Sequence, residues 1–397
     1  MGSHGIKDRV AIVGMGCTNF VEHWDQGLDD MVVDAANDAY ASAGIDKDKV
    51  DAYWLGTAQG GMSGITLARP LQLLDKPVTR VENFCATGSE ALRQAAYAVA
   101  SGAYDLAMAI GVEKLKDSGY SGLVVGGAQT DGSDPTTTAP ASFSYLAPAY
   151  GKKYGVTDAE MKEVMTRIAW KNHKNGALNP RAQFKKEVGK DVICNSPLVA
   201  GPLGIFDCSG VSDGAACAII VRAEDAHKYT DKPLYVKALS FVAGNGSGLI
   251  DSTYDYTTFR ECEAAANDAY QQAGITDPIN ELAMAEVHDC FTPTEMVLME
   301  DLGFSARGQA YKDINAGVFD LGGQLPVNPD GGLKSFGHPV GASGLRMIFE
   351  AWLQLRGEAP EERAISTADR GLALTHNLGG YPGEMVSFVG IYGSQLG

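Results

Sequence analysis

The order of apolar and polar positions predicts the same β-α-β unit twice. "RVAIVGMG" is a short apolar run and reads as a buried strand. An Ala-rich helical stretch follows and closes on "AANDAYASAGI", residues 35–45, whose Ala-Gly is a helix stop. "VDAYWLG" reads as the next strand. Later come "PLYVKALSFV", "AANDAYQQAGI" at 265–275 and "LAMAEVHDCF" in the same order. Nine of the eleven positions in the two helix ends are identical, 230 residues apart. This likeness predicts an α/β protein of two duplicated halves.

A second echo is shorter. "CATGSEALR" at 85–93 resembles "HPVGASGLR" at 338–346, and each is expected to open a helix. The lead position is Cys85 in one half and His338 in the other. Halves packed pseudo-symmetrically would bring both helix N-termini to a shared centre and set a cysteine opposite a histidine. Pro339 is expected in the first helical turn, where proline is tolerated.

The predicted boundaries follow from these units. The first half spans 6–115 and ends with the strand "YDLAMAIGVEK". Residues 116–205 form a loop-rich insert with helical patterns around 145–175, a candidate substrate cover. Residues 206–232 return a strand and a helix to the first half, and 233–397 form the second half. Its closing strands are "GLALTHNLGG" and "EMVSFVGIYG".

Composition narrows the function. Hydrophobic residues make up 45% of 397, enough for a large core. The formal net charge of −17 argues against nucleic acid, and no basic cluster with interleaved aromatics opposes it. Seven cysteines without a CxxC pair predict free thiols in a reducing compartment and no zinc ribbon in this chain. No run approaches the ~18 apolar residues of a membrane span. The start lacks a secretory h-region and "SQLG" is not a peroxisomal address, so a cytoplasmic location is expected.

Four segments carry candidate chemistry. A thiol at a helix N-terminus, as Cys85 is expected to be, meets unpaired N–H groups and the positive end of the helix dipole; these lower a thiol pKa and can hold an oxyanion. A lone cysteine is more often packing, but the Cys85/His338 pairing reverses those odds. A neutral His338 near Cys85 could take its proton. In "EVHDCFTPTE", His288 and Cys290 share one strand face by period two and Asp289 faces away. A metal site there would lack a partner cluster, so none is expected. In "THNLGGYPGE", Gly379 and Gly380 let backbone approach a ligand. "GNGSG" at 244–248 lacks the lysine and spacing of a phosphate loop.

Taken together, "CATG" at 85–88, "HDCF" at 288–291, "GHPVGASG" at 337–344 and "HNLGG" at 376–380 resemble the thiolase superfamily. The likeness is to the sterol-carrier-protein-2 type and to archaeal acetyl-CoA acetyltransferases, and it covers nearly the whole chain. It implies a five-layered αβαβα fold with an inserted loop domain. It implies Cys85 as the acyl-carrying nucleophile, His338 as its activator, and His288 as donor to the thioester oxygen. Backbone N–H groups of Cys85 and Gly380 would hold the other oxyanion, with His376 and Asn377 as positioning candidates. Where ordinary thiolases carry a Cys-x-Gly loop, this chain reads Asn377-Leu378-Gly379, so the acid/base thiol falls to Cys290 of "HDCF". Thr87 stands where the family often has serine, and little effect is expected.

The implied reaction is acyl transfer between a 3-oxoacyl-CoA and CoA, run as thiolysis or as Claisen condensation, with coenzyme A as substrate and no tightly bound cofactor. The resemblance also implies a homodimer and a separate small partner with a zinc ribbon and OB-fold, the DUF35 type. Acetoacetyl-CoA is one candidate substrate. A bulky aromatic ester such as benzoylsuccinyl-CoA is another, because the small residues of 116–150 could line a wide pocket. Competing readings are a thiolase-like ketoacyl synthase, a thiolase-like aldolase, and a non-catalytic acyl-CoA-binding subunit.

Overall fold

The computed structural model describes residues 3–117, 138–367 and 369–397. Its strands are β1 Val10–Cys17, β2 Ala52–Gly56, β3 Val78–Val81, β4 Leu106–Glu113, β5 Leu198–Ala200, β6 Leu203–Gly204, β7 Gly214–Arg222, β8 Leu234–Ala243, β9 Met284–Glu286, β10 Leu372–Tyr381 and β11 Glu384–Gly393. β5 and β6 pair only with each other. The other strands form one sheet in the order β3-β2-β4-β7-β1-β8-β11-β10-β9.

That order is symmetric about its middle. β1 and β8 meet antiparallel at only two residue pairs, Ala11↔Tyr235 and Ile12↔Leu234. Outward from this seam, β7, β4 and β2 of the first half match β11, β10 and β9 of the second. β3 runs parallel to β2; Val327, bridged in parallel to Ala285, stands in the corresponding place beyond β9. The repeated "AANDAY" segments lie in the helices Leu28–Ala43 and Arg260–Ala273, and both helices end on a left-handed glycine, Gly44 and Gly274.

The strands are apolar on both faces because helices cover both faces. On β7, Ala216, Ala218 and Ile220 face the centre of the molecule, while Cys217, Ile219 and Val221 pack outward with the helix Leu28–Ala43. On β11, Phe388 faces the centre and Val389 faces outward, toward the helices Arg260–Ala273 and Thr292–Asp301. The central layer is the helix pair Thr87–Ala100 and Ser343–Leu355. The two halves of the sheet, joined at the β1–β8 seam, flank this pair, and the result is five layers, αβαβα, as the resemblance implies.

Gly88 of the first central helix meets Gly341, its counterpart in the internal repeat, just ahead of the second. A Cβ on Gly88 would stand 2.7 Å from the carbonyl oxygen of Gly341, so no larger residue fits without moving backbone. The insert contributes the helices Ala139–Phe143, Leu146–Tyr154 and Asp158–Ala177. The last is capped by a Thr157–Glu160 box and moored to the second half by buried polar bonds from Asn172 to Asp289 and Glu295 (2.7 and 2.8 Å). Of the small-residue stretch 116–150, residues 118–137 lie outside the described residues.

Candidate active site

The loop after β3 carries Cys85. Phe84 stands at φ 49°, a left-handed conformation that costs a non-glycine residue on the order of 1–2 kcal/mol. Thr87 holds this bend: its Oγ1 accepts from the Asn83 amide (2.8 Å) and donates to the Phe84 carbonyl (2.5 Å). A serine there could make both bonds. The helix begins at Thr87, with Ala86 as its cap residue. Cys85 thus lies just ahead of the helix, half-buried in the wall of a cavity.

His338 arrives from the second half by a route the sequence did not foresee. The helix begins at Ser343, so Pro339 precedes it by a turn instead of sitting in its first turn. The reason lies at Gly341. Its amide donates to Glu113 (3.2 Å), and a Cβ there would stand 2.5 Å from the Val112 carbonyl oxygen. Residues 338–342 are therefore pressed against the end of β4 in a non-helical path. The His338 amide donates to Ser212 Oγ (2.7 Å), and its Nδ1 pairs with Ser343 Oγ (2.7 Å). Nε2 is left without a partner among the described residues.

His288 and Cys290 lie just past the end of β9, and both line the cavity. Asp289 turns away between them. Its carboxylate accepts from the Leu333 and Lys334 amides (2.6 and 3.2 Å) and from Asn172. That anchor holds its two neighbours toward the cavity. The Ser209 amide adds a second hold by donating to the Cys290 carbonyl (2.8 Å). The Cys85 sulfur and one ring nitrogen each of His288 and His338 lie within 4.8 Å of one another. The two imidazoles meet edge to face, with centroids 5.3 Å apart.

β10 closes the cavity. Leu378 and Gly380 line it, and Gly380 stands at φ 95°. A Cβ on Gly379 would lie 2.6 Å from the Asn83 carbonyl oxygen, so glycine lets β10 meet the Cys85 loop. Two residues placed near the chemistry by sequence do not reach it. Asn377 faces the central helices and accepts from Ser89 Oγ at 2.6 Å. His376 points to the outer layer, 3.3 Å from both Cys262 Sγ and Ser387 Oγ. Strand alternation puts these side chains on opposite faces, and neither lines the cavity.

The electrostatics correct one expectation. The Cys85 thiol is pushed up to about 12, first by burial and then by Glu113 and Glu82. Desolvation and two carboxylates outweigh the helix end. Cys290 is also raised well above its ordinary value, by burial and by Cys85. Burial, then Arg346, lowers His338 to about 3; burial, then His338 and His376, holds His288 well below its usual value. The resting site is therefore two neutral thiols facing two neutral imidazoles.

Glu113 was not singled out from the sequence. Its carboxylate accepts from Thr57 Oγ1 (3.0 Å) and from the Ala58, Gln59 and Gly341 amides, tying loops of both halves under the cavity. A buried acid closing a strand, as in "GVEKLK", is the signal that could have found it. Arg346 likewise pins the helix Ser343–Leu355 by bonding Glu286 (2.6 Å) and Asp330 (2.5 Å) in full burial.

Fold and site define a class: a duplicated α/β enzyme whose halves contribute a cysteine and a histidine to one enclosed centre. Comparison with known proteins specifies it. The thiolase N-terminal domain model matches residues 10–224, and the thiolase C-terminal domain-like model matches 245–390. An acetyl-CoA acetyltransferase of Methanothermobacter thermautotrophicus is 36% identical over 382 residues, 94% of this chain and 97% of that protein. Human sterol carrier protein 2 is 32% identical, over 94% of this chain and 70% of its own length. Among solved structures, an Ltp2-ChsH2(DUF35) aldolase superposes with TM-score 0.83 at 25% identity, covering 98% of each chain. Human mitochondrial 3-ketoacyl-CoA thiolase, at 17% identity and TM-score 0.70, covers 98% of this chain and 99% of its own and shares the fold. The chain belongs to the thiolase family and is an acyltransferase. No helix among the described residues is long and apolar enough to cross a membrane.

Proposed function

We propose that the protein cleaves a 3-oxoacyl-CoA with CoA, or runs the reverse Claisen condensation, through an acyl thioester on Cys85. The observation that carries this reading is the meeting of Cys85, His288 and His338 within 4.8 Å, with Cys290 on the same cavity wall.

The substrate's 3-oxo carbon is placed against the Cys85 sulfur. As sulfur attacks, its proton passes to the free Nε2 of His338, whose Nδ1 is held by Ser343. A thiol and an imidazole with these pKa values do not ionise each other at rest, so proton transfer accompanies attack. The developing oxyanion is held by the Cys85 and Gly380 amides. The bond between C2 and C3 breaks, and its electron pair forms an enolate whose oxygen is held by His288 and His338. Cys290 gives its proton to C2, and the shortened acyl-CoA leaves. The Cys290 thiolate then deprotonates an incoming CoA thiol, which attacks the acyl-Cys85 carbonyl. Cys85 leaves as the thiol by recovering its proton from His338. A neutral acid and a neutral base suit these steps, because each proton moves only when its acceptor has formed. CoA is consumed and released as substrate, and no bound cofactor takes part.

A small DUF35-type subunit is part of this reading, supported by the complex named in the structural relative of TM-score 0.83. A homodimer core fits the apolar surface around Met62, Ile65 and Leu74, each more than two-thirds exposed. Candidate esters are acetoacetyl-CoA and a bulky aromatic one such as benzoylsuccinyl-CoA. The relative named as an aldolase favours carbon–carbon cleavage without an acyl-enzyme as the second reading.

Product analysis separates the two. The full-length protein, alone and with its DUF35-type partner, is incubated with each ester and CoA. Two acyl-CoA products formed with uptake of one CoA support thiolysis. Release of a free aldehyde or ketone from the matching 3-hydroxyacyl-CoA, with no CoA consumed and no cleavage of the 3-oxo esters, would establish the aldolase reading instead.

A further inference from the structure

A second cavity, of about 860 Å³, adjoins the catalytic one. The two share Ser209, and of the neighbouring residues Ala139 and Pro140 the first lines the catalytic cavity and the second lines this one. The catalytic cavity is only about 80 Å³, room for a few heavy atoms, so a larger acyl group on Cys85 must extend beyond it. The second cavity is walled largely by apolar side chains, Phe184 and Phe206 among them, yet it holds two buried polar groups.

The first is Lys334, in the short helix Gly332–Ser335, four residues before His338 and only 3% exposed. Three lysines among the described residues are buried. Lys171 is paired with Glu295 at 2.9 Å and Lys237 with Asp8. Among the described residues Lys334 alone of the three lacks a carboxylate partner, and its ammonium stands 5.8 Å from the ring centres of Phe184 and Phe206. The nearby acids are committed elsewhere. Asp207 accepts from Thr292 and the Gly204 amide, with Lys162 at 3.8 Å. Asp289 holds the Leu333 and Lys334 amides and Asn172. The second group is His173, 2% exposed, whose two ring nitrogens have no partner among the described residues. A buried cation without a counter-charge is costly unless a ligand supplies one.

We propose that this second cavity binds a carboxylate carried on the acyl chain, with Lys334 as its counter-charge and His173 as a hydrogen-bond donor. The inference rests on the thiolase reading and names its substrate class: 3-oxoacyl-CoA esters whose acyl part bears a second, free carboxylate. Burial lowers Lys334 to about 8, which leaves its charged form dominant at neutral pH, and His173, lowered to about 3 by burial and then Lys334, is a neutral donor. A phosphate of CoA is the other anion that could reach this lysine, since Lys185 and Lys186 also line the cavity.

Equilibrium binding tests the proposal without turnover. The Cys85→Ala variant, which cannot be acylated, is titrated with succinyl-CoA and glutaryl-CoA and with their methyl-ended counterparts, butyryl-CoA and pentanoyl-CoA. The site calls for at least about tenfold tighter binding of a carboxyl-ended ester, lost when Lys334→Met is added and largely kept with Lys334→Arg. Equal binding of both kinds of ester by the Cys85→Ala parent overturns the proposal. So does a loss in Lys334→Met that is equal for both, which would assign the lysine to the CoA phosphates. Lys334→Met removes an unpaired buried charge, so its melting temperature should not fall; a folded variant that retains the carboxylate preference also overturns the proposal. Selective binding by a protein that forms no acyl-enzyme would instead overturn the thiolase reading while leaving the anion site standing.

Discussion

Gly379 presses against the loop that carries Cys85, so closely that a Cβ at Gly379 would stand 3.1 Å from the Cys85 amide nitrogen and 2.7 Å from Phe84 Cβ. Strand β10 of the second half thereby sets the position of a nucleophile supplied by the first. Gly379→Ala is expected to push the loop outward. The overlap is with backbone and a Cβ, which cannot swing aside, so a stability loss of about 1–3 kcal/mol should accompany a fall in kcat of at least about tenfold. Thermal unfolding and steady-state rates check both. A variant with unchanged kcat would show that the contact does not position Cys85.

Cys290→Ala should separate the two halves of the reaction. Cys85 remains free to take an acyl group from a simple acyl-CoA, while C2 loses its proton donor. Carbon–carbon cleavage and condensation should drop by about 10²–10⁴-fold, the usual worth of a positioned acid. Unimpaired turnover would move the acid/base role to another group.

The raised pKa of Cys85 has a visible consequence in alkylation. With the thiol at about 12, held there by burial and by Glu113 and Glu82, the thiolate fraction climbs about tenfold per pH unit across the neutral range and does not level off. Iodoacetamide labelling of Cys85, followed by peptide mass, should therefore be slow at pH 7 and rise steadily to pH 9. A plateau near pH 7 would mean a preformed thiolate.

His376 supplies a control within the same strand. Its side chain lies on the face away from the cavity, against Cys262 and Ser387. His376→Asn should keep the acylation rate within a few-fold of wild type and show its effect in melting temperature. A loss as deep as that of Cys85→Ala would place His376 in the chemistry.

Much of the fold was legible because duplication writes itself twice. Two "AANDAY" helices and their flanking strands announced two like halves, and the Cys85/His338 echo announced which loops meet. Side-chain alternation also separated Asp289 from His288 and Cys290 correctly, although these residues lie beyond the strand. What failed depended on contacts far apart in sequence. The late helix start at Ser343 follows from the packing of Gly341 against Val112, 229 residues away. The direction of the Cys85 shift depends on Glu113, brought up by β4. His376 was placed with its neighbours by motif, and strand alternation turned it outward. Lys334 sits within "GGLKSFGH" and looks like an ordinary surface lysine until its burial is known.

The central claim is the acyl thioester on Cys85. The most direct measurement is intact-protein mass after brief mixing with acetoacetyl-CoA and with an aromatic 3-oxoacyl-CoA, without and then with free CoA. The account predicts a gain equal to the acyl group, absent in Cys85→Ala and discharged by CoA. A protein that turns these esters over while its mass never changes under rapid quench, or that gains the same mass in Cys85→Ala, would contradict it.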